Sequence, residues 1–297
     1  MVTLAQLWFK YFEEKLCSEF SLKISDIEND FTISPLVYSF LKHKQLPIKP
    51  REVIESSDFL NSDLFKNEKL KKRWSNLKKA IENGDNLNRF MSKKNLEWKD
   101  SQGNTIIDYL YLTTGISHFH LRTKAGGGVD NELVFAICVE DKFYALMLGI
   151  HHDLYDIDKF KKIIDTDFPS LSFLKNIEMS KKLFKLFANN NNYQPNLIYN
   201  MDIPQEYDNE LNLIKYNIDE NFYKVPFKVY CAYENEINYI EKIKPFPISP
   251  NGLRLKIDLS SREYVIYRKQ LLKQSQELMR IPLPESSVLC STYKQED

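Results

Sequence analysis

The spacing of apolar positions over the first residues of the chain predicts helices. Apolar side chains recur at three- and four-residue steps from Leu4 to Phe20, which is the pattern of an amphipathic helix with one buried stripe. A second helix is expected to begin at Ser34, a capping residue that is followed by Pro35 at the first helical position. This helix is expected to end before Pro47.

A further helix is predicted from Asn67 to Asn83, because Gly84 follows as a stop signal and the apolar positions fall on one face. Those positions are Leu70, Trp74, Leu77 and Ile81. Residues 1–100 are therefore predicted to form a helical module.

The pattern changes to strands after residue 100. A short helix at 105–112 precedes three strand-like runs, at 116–122, 132–140 and 143–152. The last two runs are joined by Asp141-Lys142, a hairpin-length link that predicts antiparallel pairing. Helical periodicity returns at 156–169 and 170–188, so residues 101–190 are predicted to form an α+β domain.

A third region is predicted at 195–297, after a linker marked by the asparagine run 189–192 and Pro195. Within it we expect strands at 224–234 and 252–260. We also expect a helix at 260–280, which Ser260 or Ser261 opens with Glu263 in a capping box. The predicted fold class is α+β, with a helical N-terminal module, a central antiparallel sheet with helices, and a C-terminal α+β region.

Composition narrows the class of protein. A hydrophobic fraction of 43% with 13% aromatic residues excludes a disordered chain, and 28% charged residues exclude an integral membrane protein. No apolar run approaches the roughly 20 residues that span a bilayer, and the N-terminus carries charges where a signal peptide is apolar, so we expect a cytoplasmic protein and no membrane partner. With 41 basic and 41 acidic residues, any affinity for nucleic acid must come from a local patch.

The cysteines and the glycine run favour structural roles. The four cysteines are far apart without a C-x-x-C motif, so we expect them to be small core side chains, namely Cys17, Cys138, Cys231 and Cys290. The run AGGGVD at 125–130 lies between two predicted strands and lacks the Lys-Ser/Thr of a phosphate loop, which favours a flexible strand connection.

Four of the five histidines fall within one window of the sequence, at 118–152. Alternate side chains of a strand share a face, so His118, His120 and Arg122 are predicted to point one way, on a solvent-reachable face. Phe119 and Leu121 then point into the core. His151 and His152 end the third strand, where adjacent residues face opposite sides, so at most one of them joins the pair. The expected catalytic cluster is His118, His120, Arg122 and His151.

This set supplies the parts of metal-independent RNA cleavage. One imidazole removes the 2′-hydroxyl proton, another protonates the leaving 5′-oxygen, and a cation stabilises the charged transition state. An alternative is a divalent metal site, for which Asp153 and Asp156 count modestly and Arg122 counts against. A second alternative is that the histidines are structural and bond to backbone. We expect no cofactor and no metal.

A basic patch accompanies the predicted site. Between Lys66 and Lys99, eleven Lys or Arg stand against four acidic residues, an excess of seven, interleaved with aromatic side chains. Such a patch is able to follow a nucleic-acid backbone, although a solvated helix face gives the same pattern. The residues predicted to bind substrate are His152, Lys124, Lys71, Lys72, Lys78 and Lys79.

Residues 115–153, which contain the H-x-H-L strand, an apolar strand and a hairpin ending in His, resemble uncharacterised bacterial H-x-H-L proteins. They are similar, more distantly, to RelE-like toxin endoribonucleases over 50–80 residues. The resemblance implies a role as a toxin or phage-defence effector, with RNA as substrate and an antitoxin or other protein as partner. It places His118, His120, Arg122 and His151 on or beside the catalytic sheet. RelE-like toxins are small and strongly basic, and their sites do not use paired histidines. This chain is long and neutral, and its histidines are paired.

The leading hypothesis is therefore a metal-independent endoribonuclease. The second is a non-catalytic RNA- or protein-binding regulatory module, and the third is a metal-dependent hydrolase.

Overall fold

The computed structural model of the chain describes residues 2–20, 22, 33–91, 97–98, 106–124, 127–128, 131–171, 213–218, 221–246, 252–269, 275–284 and 287. The chain divides into two compact units. The first combines Met1–His43 with Val225–Asp297, and the second is Lys44–Lys224. Both helices and sheets are present, which confirms the α+β class.

The α-helices of the described residues are α1 (Leu4–Phe20), α2 (Ser34–His43), α3 (Ser57–Leu60), α4 (Glu68–Glu82), α5 (Tyr109–Thr114), α6 (Ile157–Asp167) and α7 (Phe227–Ile240). The strands are β1 (Glu52–Glu55), β2 (Ile116–His120), β3 (Thr123–Lys124), β4 (Gly127–Gly128), β5 (Glu132–Val139), β6 (Lys142–Ile150), β7 (Leu213–Ile218), β8 (Asn221–Pro226), β9 (Leu253–Asp258), β10 (Glu263–Lys269) and β11 (Ser275–Pro282). Short 3-10 turns lie at Asp63–Lys66, Leu87–Phe90, His151–Tyr155 and Pro169–Leu171.

The second unit is built on a four-stranded sheet in the order β1-β6-β5-β2. Strands β2, β5 and β6 pair antiparallel, whereas β1 pairs parallel with β6. The predicted β5–β6 hairpin is confirmed, with its turn at Glu140 and Asp141, where Glu140 has a φ of 49°. Strand β1 lies inside the region that the sequence predicted to be wholly helical, so that prediction is wrong for Glu52–Glu55.

Helices cover both faces of this sheet. On one face α4 packs its predicted apolar stripe against Phe119, Val134 and Phe143 in a continuous core. On the other face Phe160 of α6 packs against Phe135 of β5, with ring centroids 5.1 Å apart. Burying apolar side chains on both faces fixes the register of every strand, because a slip of one residue reverses which face each side chain occupies.

The first unit packs α1 and α2 with α7 and with the antiparallel sheet β11-β10-β9. At its centre the carboxylate of Glu236, which is fully buried, accepts hydrogen bonds from Trp8 Nε1 (3.0 Å) and from the hydroxyl of Tyr264. The bounds of α1 and α2 agree with the predictions from their apolar and capping patterns.

The helix predicted at 260–280 is wrong. Residues Glu263–Lys269 and Ser275–Pro282 form β10 and β11 instead. Asp258 Oδ1 accepts hydrogen bonds from the backbone N–H groups of Ser260 and Ser261, so these serines form a turn and not a helix cap. The run EYVIY that follows is rich in β-branched and aromatic residues, which fit a strand.

The strand predicted at 224–234 is wrong except for residues 224–226, which lie in β8. Strand β8 ends at Pro226, and α7 begins at Phe227. The buried positions of α7 recur at helical spacing, at Val229, Ala232, Tyr233, Glu236 and Ile240.

The two units differ from the predicted domains 1–100, 101–190 and 195–297. Strand β1 and helix α4 belong to the histidine-bearing sheet, so residues 44–100 lie with it, whereas α1 and α2 pack with the C-terminal elements. The described part of the glycine run forms the β3–β4 pair. Cys17, Cys138 and Cys231 are free and partly buried. Residues 172–188, the linker and Cys290 lie outside the described residues.

Some lysines of α4 form ion pairs, and others are exposed. Lys78 Nζ lies 3.2 Å from Glu55 Oε2, and Trp74 Nε1 donates to Glu55 Oε1 at 2.7 Å. Lys71 pairs with Glu68 at 2.7 Å, whereas Lys72 and Lys79 are exposed. These exposed lysines are the ones that suit a phosphate contact.

We therefore expect Lys78→Glu to destabilise the protein by about 1 kcal/mol, because it replaces a half-buried ion pair with a repulsion between like charges. The matched variant Lys72→Glu is expected to change stability by less than about 0.5 kcal/mol. Urea unfolding of the two variants measures this difference. Equal stability of the two would mean that the Glu55 contact contributes nothing.

Candidate active site

Strand β2 carries the predicted histidine pair, and the elements before it fix its position. Asp108 caps the N-terminus of α5 by accepting a hydrogen bond from the backbone N–H of Tyr111 at 3.0 Å. Gly115 ends the helix in the left-handed conformation, with a φ of 73°, and β2 starts at the next residue. This tight connection places Asp108 beside the strand that it introduces.

The alternation predicted along β2 is confirmed. Phe119 and Leu121 enter the core under α4. His118 and His120 lie on the opposite face, next to Phe135 and Leu133 of β5, since residues directly opposite in an antiparallel pair share a face.

Three imidazoles converge at the end of the sheet. The ring centroids of His118 and His120 are 5.9 Å apart, those of His120 and His151 are 5.4 Å apart, and those of His118 and His151 are 6.4 Å apart. His151 therefore joins the pair, and its neighbour His152 is exposed. This agrees with the prediction that only one of the adjacent histidines would do so.

A turn after β6 brings His151 over the sheet. Gly149 shares a row with Leu133 and His120 across the three strands. A Cβ atom on Gly149 would overlap Asp153 Oδ2, so a larger residue there would displace the carboxylate that closes the turn. Asp153 Oδ2 also accepts a hydrogen bond from the backbone N–H of Ile150 at 2.7 Å, which holds the turn closed.

The expectation of a solvent-reachable histidine face is wrong. His118 and His120 are only 2% and 4% exposed, whereas His151 is half-buried. The turn that carries His151 and the apolar side chains of β5 enclose the two rings. Arg122 is exposed and lies at a bend beyond the end of β2, so it does not continue the strand face.

Burial determines the protonation of the cluster. It lowers the pKa of His118 to about 4, and the neighbouring His151 lowers it further. The pKa of His151 is lowered as well, first by burial and then by His120. Both rings are therefore neutral at pH 7.

A carboxylate and an amine are buried beside the imidazoles. His118 Nδ1 forms no hydrogen bond to a described residue and lies 3.7 Å from Asp108 Oδ2. Burial raises the pKa of Asp108 to about 6 and lowers that of Lys44 to about 7. Asp108 takes up a proton at a higher pH than His118, so its charge is absent by the pH at which His118 titrates.

The orientation of His151 is set by Asn131. Asn131 Oδ1 lies 2.8 Å from His151 Nδ1 and also accepts from the backbone N–H of His151 at 3.5 Å. A backbone N–H only donates, so the amide oxygen faces His151 and its Nδ1 carries a proton. In the neutral ring, Nε2 then holds the lone pair.

The other candidate residues have separate positions. Lys124 lies in β3, and its side chain is outside the described set. Asp153 caps the turn, and Asp156 caps α6 by accepting from the backbone N–H of Lys159 at 3.1 Å. Among the described residues, no group of three His, Cys, Asp or Glu side chains has an arrangement that could hold a metal ion.

Four residues of the site were not predicted from the sequence, namely Asp108, Lys44, Asn131 and Gly149. Asp108 had a local signal, because it precedes a short apolar helix that ends at Gly115. Lys44 had none, because its contacts come from residues more than fifty positions away.

Comparison with known proteins adds no further assignment: no family model, curated protein or solved structure matches the chain. Within the described residues, no helix has the length and apolar character needed to cross a membrane.

We expect the burial of His118 to lower stability at acid pH, against the opposite contribution of Asp108, whose raised pKa stabilises the folded chain as the pH falls below about 6. The unfolded chain protonates this ring near pH 6.5 and the folded chain only near pH 4, so its contribution to stability is complete above 6.5 and is lost as the pH falls toward 4. The loss amounts to about 3 kcal/mol. Urea unfolding at pH values from 7 to 4 measures this loss in the free energy of unfolding. The loss in His118→Asn is expected to be smaller than in wild type by about 3 kcal/mol. Identical pH dependence of the two proteins would contradict burial of a neutral imidazole.

Proposed function

We propose that the protein is a metal-independent endoribonuclease, in which the three-imidazole cluster of His118, His120 and His151 performs acid–base catalysis. The convergence of the three rings at 5.4–6.4 Å carries the proposal. Cleavage next to a 2′-hydroxyl needs one proton acceptor and one proton donor on a single phosphodiester, and imidazole serves both roles near neutral pH.

The difference in burial suggests how the roles divide. Burial keeps His118 neutral at pH 7, so its ring has a free lone pair, as a general base requires. His151 is the member that solvent reaches, and an entering phosphate anion favours its protonated form. It suits the general acid, and His120 lies between the two as a donor to a non-bridging oxygen.

The reaction then proceeds as an internal transfer. His118 accepts the 2′-hydroxyl proton as the 2′-oxygen attacks phosphorus. The imidazolium of His151 gives its proton to the 5′-oxygen as the P–O5′ bond breaks. The products are a 2′,3′-cyclic phosphate and a 5′-hydroxyl end, and no metal ion takes part.

Side chains around the sheet are the proposed substrate contacts. Arg122, Lys124 and His152 flank the cluster in sequence and are proposed to bind the RNA backbone beside it, as is expected of Lys and Arg around a phosphodiester site. The exposed Lys72 and Lys79 of the basic patch lie on α4, which covers the opposite face of the sheet, so they are proposed to bind a more distant part of the RNA. A role as a bacterial toxin or defence effector, with a protein partner that restrains it, is part of the same proposal.

We expect purified protein to cleave RNA in the presence of a chelator and to leave 2′,3′-cyclic phosphate ends. His118→Asn is expected to lower kcat about 100-fold or more, the usual contribution of an acid–base group. His43→Asn, which changes a histidine outside the cluster, is the matched control with full activity. The profile of kcat/KM against pH is expected to be bell-shaped, because activity needs His118 deprotonated and His151 protonated. Its alkaline limb is expected to lie below the ordinary histidine pKa, since burial and then His120 lower the pKa of His151.

Three outcomes contradict the proposal. Cleavage that the chelator abolishes indicates a metal-dependent hydrolase. Binding of RNA without cleavage, weakened by reversal of Lys72 and Lys79, indicates a binding module. Full activity in His118→Asn removes the cluster from the reaction.

A further inference from the structure

The two carboxylate oxygens of Asp108 face different groups, one the backbone of α5 and the other the imidazole of His118. Its Oδ1 accepts the hydrogen bond from the backbone N–H of Tyr111, and its Oδ2 lies 3.7 Å from His118 Nδ1. Both Asp108 and His118 are buried. The carboxylate therefore connects the start of α5 to the histidine on β2.

A helix cap does not need a buried charge. Ser, Thr and Asn cap equally well and are neutral, whereas burying a carboxylate costs several kcal/mol unless a cation compensates it. Lys44 provides that cation, since its charge lowers the pKa of Asp108 against the effect of burial. The chain thus buries two charges where one neutral side chain would cap α5.

A hydrogen bond to the backbone of another segment holds the side chain of Lys44 in place. Its Nζ donates a hydrogen bond to the backbone carbonyl of Glu97 at 2.6 Å. The neighbouring carbonyl of Trp98 accepts from the backbone N–H of Ile106, two residues before Asp108. The amine is therefore fixed to the chain segment that leads into the cap.

We propose that Asp108 is a positioning residue for His118, whose neutral ring it holds with the proton on Nδ1, and that the positive charge of Lys44 favours the ionised form of the Asp108 carboxylate. The catalytic meaning of this inference rests on the proposed function. The arrangement directs the Nε2 lone pair of His118 at the substrate. When Nε2 takes the 2′-hydroxyl proton, Nδ1 keeps its own, and the imidazolium is balanced by the carboxylate.

The Asp108 carboxylate beside His118 makes the activity of the site sensitive to acid pH. Among the described residues, the titratable groups in contact with His118 are Asp108, His120 and His151. The charge of Lys44 acts on Asp108, and its amine is bonded to the carbonyl of the exposed Glu97. Asp108 becomes protonated near pH 6 and then no longer presents a negative charge to Nδ1. Activity is therefore expected to fall as the pH drops through about 6, before His118 itself is protonated.

Nitrogen-15 NMR of the histidine rings tests the tautomer without any substrate. At pH 7.5 the wild-type spectrum is expected to show His118 protonated on Nδ1. Asp108→Asn keeps a capping oxygen for Tyr111 but turns an amide N–H₂ toward the ring, so the proton is expected to move to Nε2. Asp156→Asn makes the same substitution at the cap of α6 and is expected to leave His118 unchanged.

Lys44→Met and Lys44→Arg test the cation. Without the positive charge the pKa of Asp108 rises, so Lys44→Met is expected to shift the change of tautomer to higher pH, and Lys44→Arg to restore it toward wild type. If Lys44→Met does not fold, Asp108→Asn and Lys44→Arg still give the tautomer and its pH dependence.

Activity gives the second measurement. Asp108→Asn is expected to lower kcat about 100-fold or more with KM changed less than about threefold, as happens when a base is left in the wrong tautomer. An Nε2–H tautomer in the wild type, or an unchanged tautomer in Asp108→Asn, overturns the inference whether or not RNA is cleaved. The expected change of tautomer in a protein without ribonuclease activity supports the positioning role of Asp108 and rejects the proposed reaction.

Discussion

Burial of an imidazole face is the constraint on which the site depends. An imidazole that is transferred from water to a protein interior loses the hydration of its charged form, so it stays neutral unless a partner compensates it. His118 and His120 have lost nearly all contact with solvent, and His151 has lost part of it. The chemistry of the cluster follows from this gradient, because rings of one type acquire different affinities for a proton.

A small number of elements produces this difference in burial among the three rings. The pairing of β2 with β5 fixes which face the first two histidines occupy, and the core under α4 prevents a slip. The β5–β6 hairpin then returns the chain to the same end of the sheet, where Gly149 lets the turn that carries His151 fold over the face. The cap of α5 places Asp108 beside His118.

Buried neutral rings also suit metal binding, but the carboxylates of Asp153 and Asp156 accept hydrogen bonds from backbone N–H groups.

The parts of the structure that local patterns control were predictable from sequence. Alternation along residues 116–121 gave the two faces of β2, and the capping signals around α4 gave its bounds. The helix predicted at 260–280 was wrong because Ser260-x-x-Glu263 imitates a capping box, whereas the β-branched and aromatic residues at 264–267 decide the local structure. Sequence periodicity reports the direction of a side chain and not what covers it.

The degree of exposure and the charged partners of the site depend on tertiary contacts. Whether a strand face meets water is decided by the elements laid over it, here the turn that starts at His151. Lys44 comes from a region predicted to be a separate helical module, so no local signal linked it to Asp108. The position of β1 beside β6 is the reason why this region belongs to the histidine-bearing sheet.

The central claim is that the three imidazoles form one interacting buried cluster. An NMR titration of the His118 ring in wild type and in His151→Asn tests this claim most directly. Because His151 lowers the pKa of His118, its removal is expected to raise that pKa, whereas His43→Asn leaves it at about 4. An unchanged pKa of His118 in His151→Asn, or a wild-type value near 6.5, would contradict the cluster.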